Sequence, residues 1–181
     1  MQTLELWLVR HGETPWNREG RLTGWTDLPL TPRGEAQARA LRPFLEGQAF
    51  AGVWASDLER AVRTAELAYG RPRRDARLRE IHFGQLEGAF WETLEPRYKA
   101  ALLAFEGFQA PGGESVQDLE RRVRGFVAEL EPGRHLVFTH GGVVRGLLRA
   151  VGADRFVPNA AVVGVDWTRR ALRFVREEGA E

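Results

Sequence analysis

Two histidines, each followed by glycine where a short apolar run stops, are the residues of this chain best placed to do chemistry. They are His11-Gly12 after residues 4–9 (LELWLV) and His140-Gly141 after residues 135–139 (HLVFT). Arg10 directly precedes the first. The chain has no cysteine, so thiolate nucleophiles, disulfides and cysteine metal sites drop out together. No carboxylates cluster at metal-binding spacing either, which leaves an imidazole as the available nucleophile and His11 as its position. Arginine beside such an imidazole suits attack on a phosphate ester. That ester is dianionic near neutral pH, and cleaving it needs an in-line nucleophile, positive donors for the equatorial oxygens and a proton for the leaving alkoxide. Arg10 would clamp the phosphate through paired, charge-assisted hydrogen bonds. His140 would complete the anion pocket, with Gly141 allowing a close backbone approach at a helix start. Glu80 is the expected general acid, and then the base that activates water; Glu13, Glu87 and Glu92 are the other acids near it in sequence. No metal and no cofactor enter this scheme.

Bringing these residues together is a task for an α/β fold. Residues 4–9 and 135–139 read as strands covered on both faces, as in a parallel sheet, and residues 53–55 as a third. Thr31 and Pro32 form an N-cap and first-turn pair ahead of a helix running roughly to Leu45. Ser56 and Glu59 have the spacing of a capping box, and Leu58, Ala61, Val62, Ala65 and Ala68 give the following helix an apolar face, with Arg60, Arg63 and Thr64 on other faces. Residues 81–113 are aromatic-rich and broken by Pro96 and Pro111, which reads as a helical cap inserted between core elements. Its Phe83, Phe90, Trp91, Tyr98, Phe105 and Phe108 read mainly as the cap's own core, with lining of a pocket mouth as the alternative. Residues 115–130 carry apolar side chains at spacings of three and four, and a further helix spans about residues 143–150. Residues 161–167 and 171–175 read as a terminal hairpin. The expected architecture is a three-layer α/β/α sandwich with a mostly parallel mixed sheet, a C-terminal antiparallel hairpin and the small cap. In such sheets the binding crevice lies at the carboxyl ends of the strands, so His11 and His140 should share one cleft.

The 181 residues suit one domain, and 43% apolar with 28% charged residues excludes a disordered or low-complexity chain. A net charge of +1 gives no basic excess for nucleic acid or an anionic membrane, and no apolar run is long enough to span a bilayer. With no signal-peptide pattern at the N-terminus, a cytoplasmic location is expected. Monomer and homodimer both remain open.

Residues 8–14 (LVRHGET) resemble the motif of the histidine phosphatase superfamily, the group that holds cofactor-dependent phosphoglycerate mutases and many small phosphatases. Asn17, the segment 56–65, Arg79-Glu80 ahead of Phe83-Gly84 and Glu87-Gly88, and Thr139-His140-Gly141 follow in the family's order. The resemblance runs from about Leu6 to Arg145. It implies a phosphohistidine formed on His11, the other ring nitrogen being held by a backbone carbonyl. It also selects Arg60 for the clamp and adds Asn17 as a phosphate contact. Thr23-Gly24-Trp25 looks like the mutases' substrate loop, which makes Thr23 and Gly24 substrate-binding candidates. The mutases' paired basic motif is reduced here to Arg97 and Lys99, and the short cap with residues 111–115 (PGGES) looks more like the small phosphatases, especially the alpha-ribazole phosphatase group.

The expected function is therefore metal-independent hydrolysis of a small-molecule phosphate ester, with alpha-ribazole 5'-phosphate as the leading substrate. A broad-specificity or phosphoserine phosphatase and a cofactor-dependent phosphoglycerate mutase are the alternatives. A non-catalytic phospho-ligand binding module is disfavoured by the intact Arg10, His11, Arg60 and His140. Plainer readings stand beside these: a solvated strand end for Arg10 and His11, a capping or core residue for His140, a surface helix residue for Arg60 and an ion pair for Glu80. His82 and His135 read as structural.

Overall fold

The computed structural model describes residues 2–177. Strands β1 (Leu4–Arg10), β2 (Gly52–Ala55), β3 (Arg73–Arg74), β4 (Gly133–Thr139), β5 (Val162–Asp166) and β6 (Ala171–Arg176) form one sheet in the order β3-β2-β4-β1-β5-β6. The first four in that order are parallel, and β5 and β6 run antiparallel at the other edge. Alternation along β1 separates the layers: Leu6 and Leu8 enter one buried cluster, Trp7 and Val9 the other. The first cluster is completed by α6 (Val116–Ala128) and α7 (Gly141–Ala150) through Leu119, Val123, Val144 and Leu147; the second draws Leu41, Leu45, Val62 and Ala65 from the side of α2 (Pro32–Ala40), α3 (Arg42–Leu45) and α4 (Glu59–Ala68). This is the expected three-layer sandwich with its terminal hairpin. Residues 81–113 hold two short 3-10 turns and α5 (Pro96–Ala104). Among the described residues, no helix is long and apolar enough to cross a membrane.

Several local readings change. The helix expected to run to Leu45 breaks at Leu41, because Pro43 has no N–H to continue the α2 ladder, and α3 restarts there. Thr31 does cap α2, accepting from Gly34 N. Residues 15–19, not read as helix from the sequence, form helix α1 (Pro15–Glu19), capped by a capping box between Thr14 and Asn17. The Ser56 and Glu59 capping box does not form: α4 begins after Leu58 with no side-chain cap of its own, and Asp27 from a distant loop accepts from Glu59 N at 2.7 Å. Arg60 and Thr64, placed off the apolar face, are fully buried. The helix after His140 starts at once with Gly141, and the edge strand β3 was not foreseen.

Candidate active site

The β1 and β4 ladders decide where the histidines meet. Arg10 pairs with Thr139 in parallel register, so the residues just beyond them, His11 and His140, leave adjacent strands at the same sheet edge. Their ring centroids lie 5.1 Å apart. Gly12 is required beside them, since a Cβ there would overlap the Gly34 carbonyl at the start of α2.

His11 is 4% exposed. Its Nδ1 lies 2.7 Å from the Gly12 carbonyl, which can only accept, so Nδ1 carries the proton and Nε2 keeps its lone pair. Arg60 Nε approaches that lone pair at 3.3 Å. Burial first, then Arg60 and Arg10, hold the His11 pKa well below the ordinary imidazole value, with the Gly12 contact opposing. The ring is thus neutral in the form that attacks phosphorus. His140 is fully buried and contacts Ser56 Oγ through Nε2 at 2.8 Å; burial, then Arg60 and His11, lower its pKa likewise. Ser56, read from sequence as a helix cap, instead orients the second histidine.

Arg10 donates to Val157 O at 2.7 Å, and its guanidinium sits 5.4 Å from the Phe156 ring centre. Its Nε and His140 Nδ1 are buried and meet no hydrogen-bond partner among the described residues. Leaving two such groups unmet is costly unless an acceptor arrives, which marks the pocket as built for an anion. Arg60 behaves differently from a free clamp. It is fully buried, its terminal nitrogens donate to Thr26 O at 2.8 Å and Gly24 O at 2.5 Å, and its Nε faces His11. Burial draws its pKa down to about 10, offset by Glu80 and Glu87, and it remains a cation at neutral pH.

Glu80 reaches the cleft from the segment after the 3-10 turn at Ala76–Leu78. Its carboxylate accepts from Ile81 N at 2.8 Å and Gly142 N at 2.9 Å. A Cβ on Gly142 would overlap Glu80 Oε1, so this approach needs glycine there. Arg122, missed from sequence, pins the segment by donating to the carbonyls of Arg77, Arg79 and Glu80 while pairing with Glu114.

Arg10, His11, Asn17, Thr23, Glu80 and Gly141 line one cleft of about 420 Å³; His140 and Arg60 lie behind it. Asn17 Oδ1 is taken by Thr14 N and Asn159 Nδ2, leaving its amide NH2 as the part able to meet an anion. Gly24 is not a lining residue: its N–H binds Glu87 and its carbonyl Arg60. The aromatic set divides. Phe83, Trp91 and Phe105 line the cleft, Phe108 is buried, Tyr98 packs partly buried against it, and Phe90 is half-exposed against Arg21. Phe156 and Leu103, also lining, are exposed at the rim and carry no motif that would have pointed to them. His82 and His135 are tied into local contacts with Gly84 N and with Trp54 and the Glu131 carbonyl. Among the described residues, no three His, Asp or Glu side chains gather into a group able to hold a metal ion.

The model for the histidine phosphatase superfamily (branch 1) matches residues 6–178, nearly the whole chain. The chain belongs to the histidine phosphatase superfamily. Solved relatives share the fold: a phosphoglycerate mutase from Thermus thermophilus is 59% identical, with a TM-score of 0.89 over 95% of this chain and 98% of that one. An Escherichia coli chain described as a candidate alpha-ribazole-5'-P phosphatase is 30% identical, with a TM-score of 0.82 over 96% of each chain. A protein named probable phosphoglycerate mutase GpmB from Salmonella choleraesuis is 39% identical over 94% of this chain and 80% of its own. Membership in this superfamily makes the chain an enzyme of the mutase or phosphatase type.

Proposed function

We propose that this chain is a metal-independent phosphomonoesterase that works through a phosphohistidine at His11 and prefers esters with an apolar or aromatic leaving group. The lone pair on His11 Nε2 attacks phosphorus as the ester P–O bond breaks. Arg10 and His140 offer their unmet nitrogens to the transferring group, Arg60 adds its positive charge from behind His11, and Glu80 delivers a proton to the departing oxygen. Water deprotonated by Glu80 then attacks phospho-His11, releasing phosphate and restoring the neutral imidazole.

The observation that carries the hydrolase reading is the chemistry of the cleft beyond His11. Leu22, Ile81, Phe83, Trp91, Phe105 and Phe156 make most of its wall apolar, which suits a leaving group with a ring or hydrocarbon body. Arg97 and Lys99, the remnant of the mutases' basic motif, are not in that wall; Arg97 pairs with Glu95 and Lys99 with the Glu92 carbonyl. An aromatic riboside such as alpha-ribazole 5'-phosphate fits this description and is the leading candidate, in line with the 30% identical Escherichia coli chain. The second reading, a phosphoglycerate mutase, draws on the names of the more similar relatives and on Arg21 and Arg145, which also line the cleft. Both guanidiniums are already engaged, Arg21 with the Gly88 carbonyl and Arg145 with Asp154.

Phosphate release from alpha-ribazole phosphate, phosphoserine, p-nitrophenyl phosphate and the phosphoglycerates, with chelator present and His11→Ala as control, tests the proposal. The expected result is chelator-resistant, His11-dependent release that favours the aromatic esters. Interconversion of phosphoglycerates that needs a bisphosphoglycerate and releases no phosphate would replace it with the mutase.

A further inference from the structure

The loop of residues 22–27 is gripped along both backbone edges. On its amide edge, Glu87 accepts from Gly24 N through both carboxylate oxygens and from Thr26 N through Oε2, all at 3.0 Å. On its carbonyl edge, Arg60 donates to Gly24 O and Thr26 O. The same two residues are therefore held from opposite sides by opposite charges, and these bonds are of the stronger, charge-assisted kind. The packing leaves no slack, because a Cβ on Gly24 would crowd the Ile81 carbonyl and Glu87 itself.

Arg60 has a third contact, Nε against His11 Nε2. Its planar guanidinium cannot turn toward or away from His11 without moving the two loop carbonyls it holds. Glu87 does not line the cleft, whereas Glu80 does, and both its oxygens are taken by loop amides. That excludes a role as the acid that meets the leaving group and leaves a different one.

We propose that Glu87 is a positioning residue of this site: it holds the amide edge of residues 24–26, thereby fixes the carbonyl edge that aims Arg60, and through Arg60 sets the surroundings of His11 Nε2. The proposal rests on the catalytic reading of His11. The charged and titratable groups facing His11 are Arg60 from α4, Arg10 from its own strand and His140 from the start of α7, with Glu80 acting on the two arginines. After burial, Arg60 is the largest influence holding the His11 pKa down. Loosening Arg60 therefore raises that pKa toward the ordinary imidazole value.

The experiment measures kcat and KM for p-nitrophenyl phosphate across pH in wild type, Glu87→Ala and Glu87→Gln, with thermal melting to show that each is folded. It also follows the His11 ring by NMR titration, which needs no turnover. Glu87→Ala should lose about 10- to 100-fold in kcat/KM, and both its acid limb and the His11 titration should move to higher pH. Glu87→Gln keeps one accepting oxygen and should fall between. A folded Glu87→Ala within about twofold of wild type, with the His11 titration unmoved, overturns the proposal; if that variant does not fold, the same readings on Glu87→Gln decide. Wild-type turnover and its loss in His11→Ala judge the catalytic reading separately.

Discussion

Neutral imidazoles buried beside arginines make the two histidines sensors of acid. An unfolded chain protonates histidine near pH 6.5, roughly the ordinary value. In the folded protein burial, then Arg60, keep His11 and His140 neutral to well below it. Between those limits the unfolded state binds more protons, so stability falls as pH falls below about 6.5 and goes on falling until the folded-state values are reached. Each histidine contributes at most about 1.4 kcal/mol per pH unit. Urea midpoints should therefore drop between about pH 7.5 and about pH 5, and less steeply in His140→Asn; equal midpoints at both ends would contradict this electrostatic picture. At this scale the sequence was most informative where a role is local. Arg10, His11 and Gly12 are neighbours in the chain, and their grouping could be read directly. Ser56 misled because its spacing to Glu59 is a valid local pattern, while its actual partner, His140, is 84 residues away. Arg60 was found by motif spacing, yet its grip on Gly24 and Thr26 depends on a loop packed against α4 that no local pattern announces.

Elements place these residues, and the N-terminus of α7 shows how closely. Gly142 donates to Glu80 at 2.9 Å, and a methyl group there would collide with the same carboxylate. Gly142→Ala should leave the helix intact, since alanine is the better helix former, while pushing Glu80 out of place. General acid catalysis is worth about 10²- to 10⁴-fold when the leaving alkoxide is basic. The variant should therefore lose far more activity on an alkyl phosphate than on p-nitrophenyl phosphate, whose phenolate needs little protonation; equal losses would show that Glu80 is not the acid. Strands β1, β2, β4, β5 and β6 and the face of α6 were legible from apolar patterning. The α2 to α3 break, the capping of α4 by Asp27 and the two-residue β3 were not. A proline's effect on one ladder, a cap donated from 32 residues away and an edge strand of two arginines leave no periodic trace.

The whole molecule sets four parallel strands in a covered sheet and opens its cleft at their carboxyl ends, as the alternation of strands and helices led one to expect. Strand order was less accessible, because placing β4 between β1 and β2 is a matter of contacts between distant parts of the chain. Phe83, Phe105 and Phe108 of the cap join the buried cluster shared with β1, α6 and α7 instead of forming a core of the cap's own, and Phe83 and Phe105 also face the cleft, a placement set by packing geometry rather than by composition. All of this converges on one claim: that His11 Nε2 takes the phosphoryl group from the substrate. The direct measurement is to mix enzyme and p-nitrophenyl phosphate, quench in alkali within a turnover and locate the phosphoryl group by peptide mass spectrometry. The account predicts an acid-labile phosphoryl group on His11, formed with chelator present and absent from His11→Ala. A label on another residue, or turnover in His11→Ala close to wild type, would contradict it.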